Sequence, residues 1–353
     1  MYNVTDLGTL GGKNSQANAI NDPGDVAGRA DDPQRFHAVR WDRRPTLATI
    51  DLHDPNWGLG QNRDTSIALS INNAHGQVVG GTVPIDSTTP HGHAFFCPKP
   101  HPGQTPQMVD LDLRSAQDVT SIARSINDHG QIAGHRHLTS EPAHLHHAVF
   151  WESPSKPATL LAPLGQYPGC KAAAINARTI VGRADINVTN YDFQACWWSI
   201  QGGQKDWLKP LGKSQSYAWA INAHDQVVGV YGDNIDATLN KPGPLDRYAC
   251  FWESTSKPGT RLFQEQGFAM GINDHGEIVG LFVPDPPDPM NPAHAFYYTA
   301  VGGRQDLNDL IDPSLRSTWT LTAARGINNR GEIVGLGLIG RDSHAFLLTP
   351  IAP

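Results

Sequence analysis

The chain has 353 residues, a net charge of −7 and only 17% charged residues, with 35 Gly and 27 Pro. It is too poor in charged helix formers for long amphipathic helices, and with no run of Lys or Arg it lacks a nucleic-acid footprint. No apolar stretch reaches the roughly 18 residues of a membrane helix, so neither nucleic acid nor membrane is expected as a partner.

The chain opens MYNVTDLGTLGG, with no basic region followed by an apolar one. That predicts a cytoplasmic home if this is the native start and an extracellular one if a signal has been trimmed. Tyr2 to Leu7 reads as a strand, yet nothing beside it in sequence can pair with it.

From there a single unit recurs. Its Ile-Asn dipeptide places Asn at 21, 72, 127, 176, 222, 273 and 328, spaced by 51, 55, 49, 46, 51 and 55 residues. Three residues before each Ile stands an Ala, and six to eight after each Asn a Gly, at 28, 80, 134, 182, 229, 280 and 335. The unit therefore begins with a tightly packed inner strand ending in Ile-Asn. A turn such as Asn-Asp-His-Gly, with Gly at positive φ, leads into a Val-Val-Gly return strand. After a variable segment comes His-Ala-Phe-x-Trp, a third strand with aromatic payload. Fourth strands are expected at Leu47–Leu52, Met108–Leu111, Leu160–Leu164, Trp207–Leu211, Arg261–Phe263 and Gln305–Leu310. Four strands per unit of about fifty residues make a propeller blade. The seventh fourth strand is missing at the C-terminus, where the chain ends after Ala345-Phe346-Leu347-Leu348, and Tyr2 to Leu7 supplies it. The expected fold is all-β: a seven-bladed β-propeller of four-stranded blades, residues 1–353 forming one domain closed by the N-terminal strand and existing as a monomer.

The Ser-x-Ala-x-x-Ile-Asn motif, the Gly-x-Val-Val-Gly return and His93-Ala94-Phe95, His294-Ala295-Phe296 and His344-Ala345-Phe346 resemble the HAF-repeat family of bacterial proteins. Val4-Thr5-Asp6-Leu7-Gly8-Thr9-Leu10-Gly11-Gly12 and the closing His-Ala-Phe-Leu-Leu-Thr-Pro also resemble that family's first and last repeats. The resemblance spans essentially the whole chain. It implies an extracellular repeat protein and carries no catalytic residue with it.

Residues that recur in the repeat are expected to serve the scaffold. His75, His129, His224 and His275 sit in the turns, while His37, His93, His147, His294 and His344 are read as structural hydrogen-bonding groups. The seven Ile-Asn asparagines are expected to satisfy turn backbone. Cys196 and Cys250, where other copies have Phe or Val, read as buried thiols; Cys97 and Cys170 have no distinguishing context.

Positions that differ between blades are the informative ones, because the scaffold demand is the same at each. Just before the residue preceding Ile stand Asn18, Leu69, Arg124, Ala173, Trp219, Met270 and Arg325. After the return Gly stand Arg29, Gly81, His135, Arg183, Val230, Leu281 and Leu336, and farther toward the loops Asp31, His137, Asp185, Tyr231 and Asp233. A chemically one-sided axial funnel follows, with His135, Arg124, Asp185 and Tyr231 as candidate catalytic residues and Asn18, Arg29, Arg183, Trp219 and Arg325 as candidate ligand-binding residues. Asp31 and Asp185 are the nearest acidic partners for Arg124 and Arg325. Insertions at 51–64, 284–292 and 310–320 would roof the funnel, with Trp57 and Trp319 as stacking surfaces. His135, His137 and His146, with His144 and His147 nearby, form the one metal-like constellation, although no carboxylate shares its spacing.

No phosphate-cradling Gly-rich loop, nucleophile elbow or Cys-x-x-Cys occurs, so no cofactor is expected. The function that follows is binding of a small organic or glycan ligand in the funnel, with non-redox acid–base chemistry of lyase, cyclase or hydrolase type. The alternative is a non-catalytic protein- or carbohydrate-binding propeller.

Overall fold

The computed structural model describes residues 1–351, apart from 44–46, 54–64, 84–91, 101–103, 113–118, 139, 143–144, 188–191, 210, 236–245 and 285–292. Seven four-stranded antiparallel sheets follow one another around a central axis. Blade one shows the pattern: Ser15–Ile20 is the inner strand, followed outward by Val26–Asp31, Phe36–Asp42 and Ala48–Asp51. The last blade consists of Trp319–Ile327, Ile333–Ile339, Asp342–Pro350 and, as its outer strand, Tyr2–Asp6, paired in register from Tyr2 opposite Pro350 to Asp6 opposite Phe346.

Outer strands lie a few residues earlier than expected in blades three and four, at Thr159–Leu160 and Lys205–Trp207. In blade six, Gly303–Asp306 gives way to a helical turn, Leu307–Leu310, because Asp306 accepts the Asn308 N–H as an N-cap.

Each inner strand carries a β-bulge at the variable position. In blade one the register skips Asn18 between Ala17 and Ala19, and equivalent skips occur in the other six. The return-strand glycine faces this distortion. A Cβ on Gly28 would stand 2.1 Å from the Gln16 carbonyl oxygen, and one on Gly80 1.9 Å from that of Ile67. No side chain fits there, which explains the repeat's second signature.

Blades are joined by recurring polar links. The Asn21 amide donates to the Asn72 carbonyl at 3.1 Å, Asn72 to Asn127, Asn127 to Asn176, Asn176 to Asn222, Asn222 to Asn273, Asn273 to Asn328, and Asn328 back to Asn21 at 3.0 Å. The circuit closes. The same side chains' Oδ1 atoms accept turn N–H groups, as Asn222 does from His224 and Gln226. At the opposite end of the inner strand, Ser15, Ser66, Ser121 and Ser216 Oγ accept the third-strand Ala N–H of the preceding blade, and Cys170 Sγ takes that place at 3.4 Å. Between these links the apolar faces pack, with Trp41, Trp151 and Trp252 fully buried. All four cysteines are free and buried; burial pushes Cys97 and Cys170 up to about 11 and raises Cys196 and Cys250 well above the ordinary thiol range.

Four of the five recurrent histidines bond an outer-strand aspartate through Nδ1: His37 to Asp51 and His93 to Asp110 at 2.8 Å, His294 to Asp306 at 2.6 Å and His344 to Asp6 at 3.0 Å. The fifth, His147, reaches Glu141 through Nε2 at 2.7 Å. The last of the aspartate pairs ties the N-terminal strand to the C-terminal one.

Removing residues 1–8 should leave Asp342–Pro350 as an open edge, so differential scanning calorimetry is expected to show a markedly lower Tm or aggregation. Asn222→Ala should lower stability in denaturant unfolding by about 2–4 kcal/mol, since one buried amide serves its own turn and the next blade.

Candidate ligand site in the axial channel

The inner strands leave an axial channel with two cavities. Seven isoleucines form an apolar waist: Ile20, Ile71, Ile175, Ile221, Ile272 and Ile327 line both cavities, and Ile126 lines the turn-side one. The cavity on the turn side, about 550 Å3, is bordered by the asparagine circuit and by Asp22, Asp128 and Asp274. Those carboxylates are engaged: Asp22 accepts the Asn329 N–H, Asp128 those of Asn73 and Ala74, and Asp274 that of Ala223. This mouth is held by its own backbone.

The cavity beyond the waist, about 420 Å3, is of a different character. The bulge residues of all seven blades line it, Asn18, Leu69, Arg124, Ala173, Trp219, Met270 and Arg325. Being outside the ladder, this position is aimed at the axis and free to vary. Asn18 also bridges blades, donating to the Ala68 carbonyl at 2.8 Å. Arg124 lies over the Trp219 ring at 4.8 Å, and neither Arg124 nor Arg325 has an acidic partner among the described residues. Arg325 Nε is buried with no acceptor. Burial, reinforced by repulsion from Arg29 and Arg124, pushes the Arg325 guanidinium down to about 10.

Of the two acids expected to neutralise these arginines, Asp31 is occupied by the Asn14 backbone and amide N–H groups at 3.2 and 2.8 Å. Asp185 follows Arg183 on the same strand face, its carboxylate against Gly169. Neither reaches Arg124 or Arg325.

One step toward the loops lie Arg29, stacked over Phe36 at 4.8 Å, and Arg183, 3.8 Å over Phe193 and 5.2 Å from Tyr217. An aromatic arc continues from Tyr217 to Trp219 to Phe268, with centroids 5.3 and 4.9 Å apart. Sequence reasoning missed Phe193, Tyr217 and Phe268. Tyr217 and Phe268 stand two residues before the bulge, in a column holding Gln, Ile, Ile and Lys in the first four blades, and that contrast was available. Phe193 stands two residues before the third-strand Ala, in a column that also holds Phe36, His146, Arg247 and Ser343.

Tyr231 is placed elsewhere. Alternation along its strand turns it away from Val230 and into the interblade core, 7% exposed, its ring 5.7 Å from that of Tyr248. Trp319 is likewise 6% exposed within the core of blade seven and offers no stacking surface. Trp57, His144 and nearly all of the 284–292 insertion lie outside the described residues.

His135 is partly exposed, but its Nδ1 is sealed and has no hydrogen-bond partner, as is that of His146. Their rings meet edge to face at 5.2 Å, and His137, whose Nδ1 pairs with the Leu145 carbonyl at 2.8 Å, is 5.6 Å from His146. Burial pushes His135 well below its ordinary range and His146 down to about 3, with Lys171 and Arg183 adding repulsion at both. This setting opposes a metal cation, and among the described residues no three ligating side chains gather around a common point. His135 and His146 are held neutral within a basic wall.

With fold and site described, the class is plain: a seven-bladed β-propeller closed by its N-terminal strand, with a basic and aromatic axial chamber. No family model and no curated protein matches the sequence. Among solved structures, the chain resembles the β-propeller domain of the Trilobed protease from Pyrococcus furiosus, at 10% identity and TM-score 0.52 over 84% of this chain and 85% of that one. It also resembles a fungal alcohol oxidase in complex with copper (10%, TM-score 0.53, 99% and 76%) and a puromycin-hydrolyzing peptidase of Mycobacterium tuberculosis (11%, TM-score 0.53), covering 93% of this chain but only 49% of that peptidase. At such identities the likeness is one of fold.

Because the unfolded state binds a proton near 6.5 that folded His146 refuses until about 3, stability is lost as pH falls through that interval. His135 acts in the same direction. Solvent screening leaves about 1 kcal/mol at stake for His146 by pH 5, so His146→Gln should flatten the Tm-against-pH curve between pH 6.5 and 4.

Proposed function

We propose that this propeller binds a small organic or glycan ligand bearing an anionic group in its axial chamber. The carrying observation is the pair Arg124 and Arg325: two guanidinium groups line the cavity without an acidic partner among the described residues, and the fold requires neither, since other blades use Asn, Leu, Ala, Trp or Met. Desolvated cations that repel one another persist where an anion complements them. Trp219, packed edge to face against Phe268, supplies a wall for an apolar ring face. A chamber of about 420 Å3 suits a ligand of one or two rings.

Neutral His135 beside Arg124 favours a further reading as an enzyme of lyase, cyclase or hydrolase type, the imidazole taking a proton that the guanidinium makes more acidic. A protein-docking face finds less support because, of the exposed large hydrophobics among the described residues, Leu47, Val109, Leu160 and Val301 belong to four different blades and only Met1 and Ile351 adjoin each other. Membership of the HAF-repeat family is inferred from the repeat motif.

The test is thermal-shift and calorimetric titration with hexuronates, phosphosugars and neutral hexoses. Anionic members should raise Tm where neutral ones do not. Arg124→Ala and Arg325→Ala should leave the unliganded Tm within a few degrees, or higher for Arg325, and weaken binding at least about tenfold, roughly 1.4 kcal/mol. Destabilised variants with an unchanged ligand response would make the arginines struts of the ring.

A further inference from the structure

The axial arginines account for only part of the positive charge in the funnel. Arg183 is 7% exposed, its Nε is buried without an acceptor, and its contacts are the faces of Phe193 and Tyr217. Opposite it on the neighbouring strand, at the directly paired position, stands Lys171. Aromatic faces attract the guanidinium but neutralise no charge. The repeat does not impose this arrangement: the columns of Arg183 and Lys171 hold Gly, Val and Leu, and Gln, Ile, Tyr and Phe, in other blades. Arg124 and Arg325 line the chamber, and Arg183 and Lys171 lie outside its lining. Arg29 and Arg124 are the charges felt by Arg325, whereas Arg183 and Lys171 act on His135 and His146 along with Arg124 or His137. Arg124 stands between them, and Tyr217 touches Arg183 on one side and Trp219 on the other.

We infer that Arg183 builds a second anion subsite, distinct from the axial one, so that the ligand carries two anionic groups with a ring face between them. The fitting class is an acidic disaccharide: one carboxylate on Arg325 and Arg124, the other on Arg183, with the C–H face of a sugar ring against Tyr217 and Trp219. This rests on the axial chamber being the ligand site, and the test separates the two claims.

Isothermal titration would compare glucuronate, a uronic-acid disaccharide and neutral lactose on the wild type, Arg183→Met and Arg325→Ala. Methionine keeps an apolar stem between Phe193 and Tyr217 while removing the charge; circular dichroism melts confirm that each variant is folded, and Arg183→Lys provides a second, charge-retaining variant. The wild type should bind the disaccharide at least tenfold more tightly than glucuronate and bind lactose weakest. Arg183→Met should abolish the advantage of the disaccharide, bringing its affinity down to about that of glucuronate for the same variant, Arg183→Lys should restore part of it, and Arg325→Ala should weaken both acidic ligands. An unchanged disaccharide-to-monosaccharide ratio in Arg183→Met would remove the second subsite while the axial site stands. Binding that is indifferent to Arg325→Ala, or lactose binding as tightly as the uronates, would overturn both.

Discussion

Everything in this molecule hangs on a closed circuit of seven asparagine amides, each donating to the main chain of the next blade and each accepting from its own turn. Within one blade, the turn is an ordinary hairpin turn. Around the ring, each turn fixes the position of its neighbour, so the axis has one diameter and the inner strands one tilt. Third-strand Ala N–H groups, donating to serine Oγ at four joints and to Cys170 Sγ at a fifth, fix the other end of the inner strand. With both ends of the strand held, its middle can be irregular, and it is there that the bulges sit.

The bulge divides labour between scaffold and site. An inner-strand residue in regular register must pack between blades, as Ala17 and its six counterparts do, each at 0% exposure. The bulged residue beside it belongs to no pair and faces the channel, so its identity is unconstrained by packing. Seven such positions arranged in a circle give a chamber whose wall can be rewritten one residue at a time. Here blades three and seven supply arginine, blade five tryptophan and blades two and six apolar side chains.

Much of this was legible because repetition is a strong signal. Seven Ile-Asn dipeptides at near-equal spacing gave the blade count, and the unmatched Val4-Thr5-Asp6-Leu7 segment gave the closure, since strand number had to balance. The columns that vary pointed to Arg124, Trp219 and Arg325, which the structure brings to one cavity. Other features depend on geometry that a motif does not encode. Tyr231 is one residue out of phase with the funnel-facing face of its strand, an error that strict alternation would have caught. The aromatic arc joins Phe193 to Tyr217, Trp219 and Phe268 across three blades, and only the ring's curvature makes these neighbours. Nor could the asparagines' second role be read locally, because their acceptors lie about fifty residues away.

The joint where the two ends of the chain meet has a consequence for engineering. Tyr2 pairs with Pro350, and the Ile351 N–H donates to the Met1 carbonyl at 3.0 Å, so the termini are hydrogen-bonded neighbours on the outer edge of one blade. A short linker would fuse them into a continuous hairpin, and new termini could be cut in any exposed connection between blades, since every interblade joint relies on the same amide donor. The protein is thus a natural substrate for circular permutation, and a reporter domain grafted at such a cut would ride on the rim, clear of the chamber at the axis.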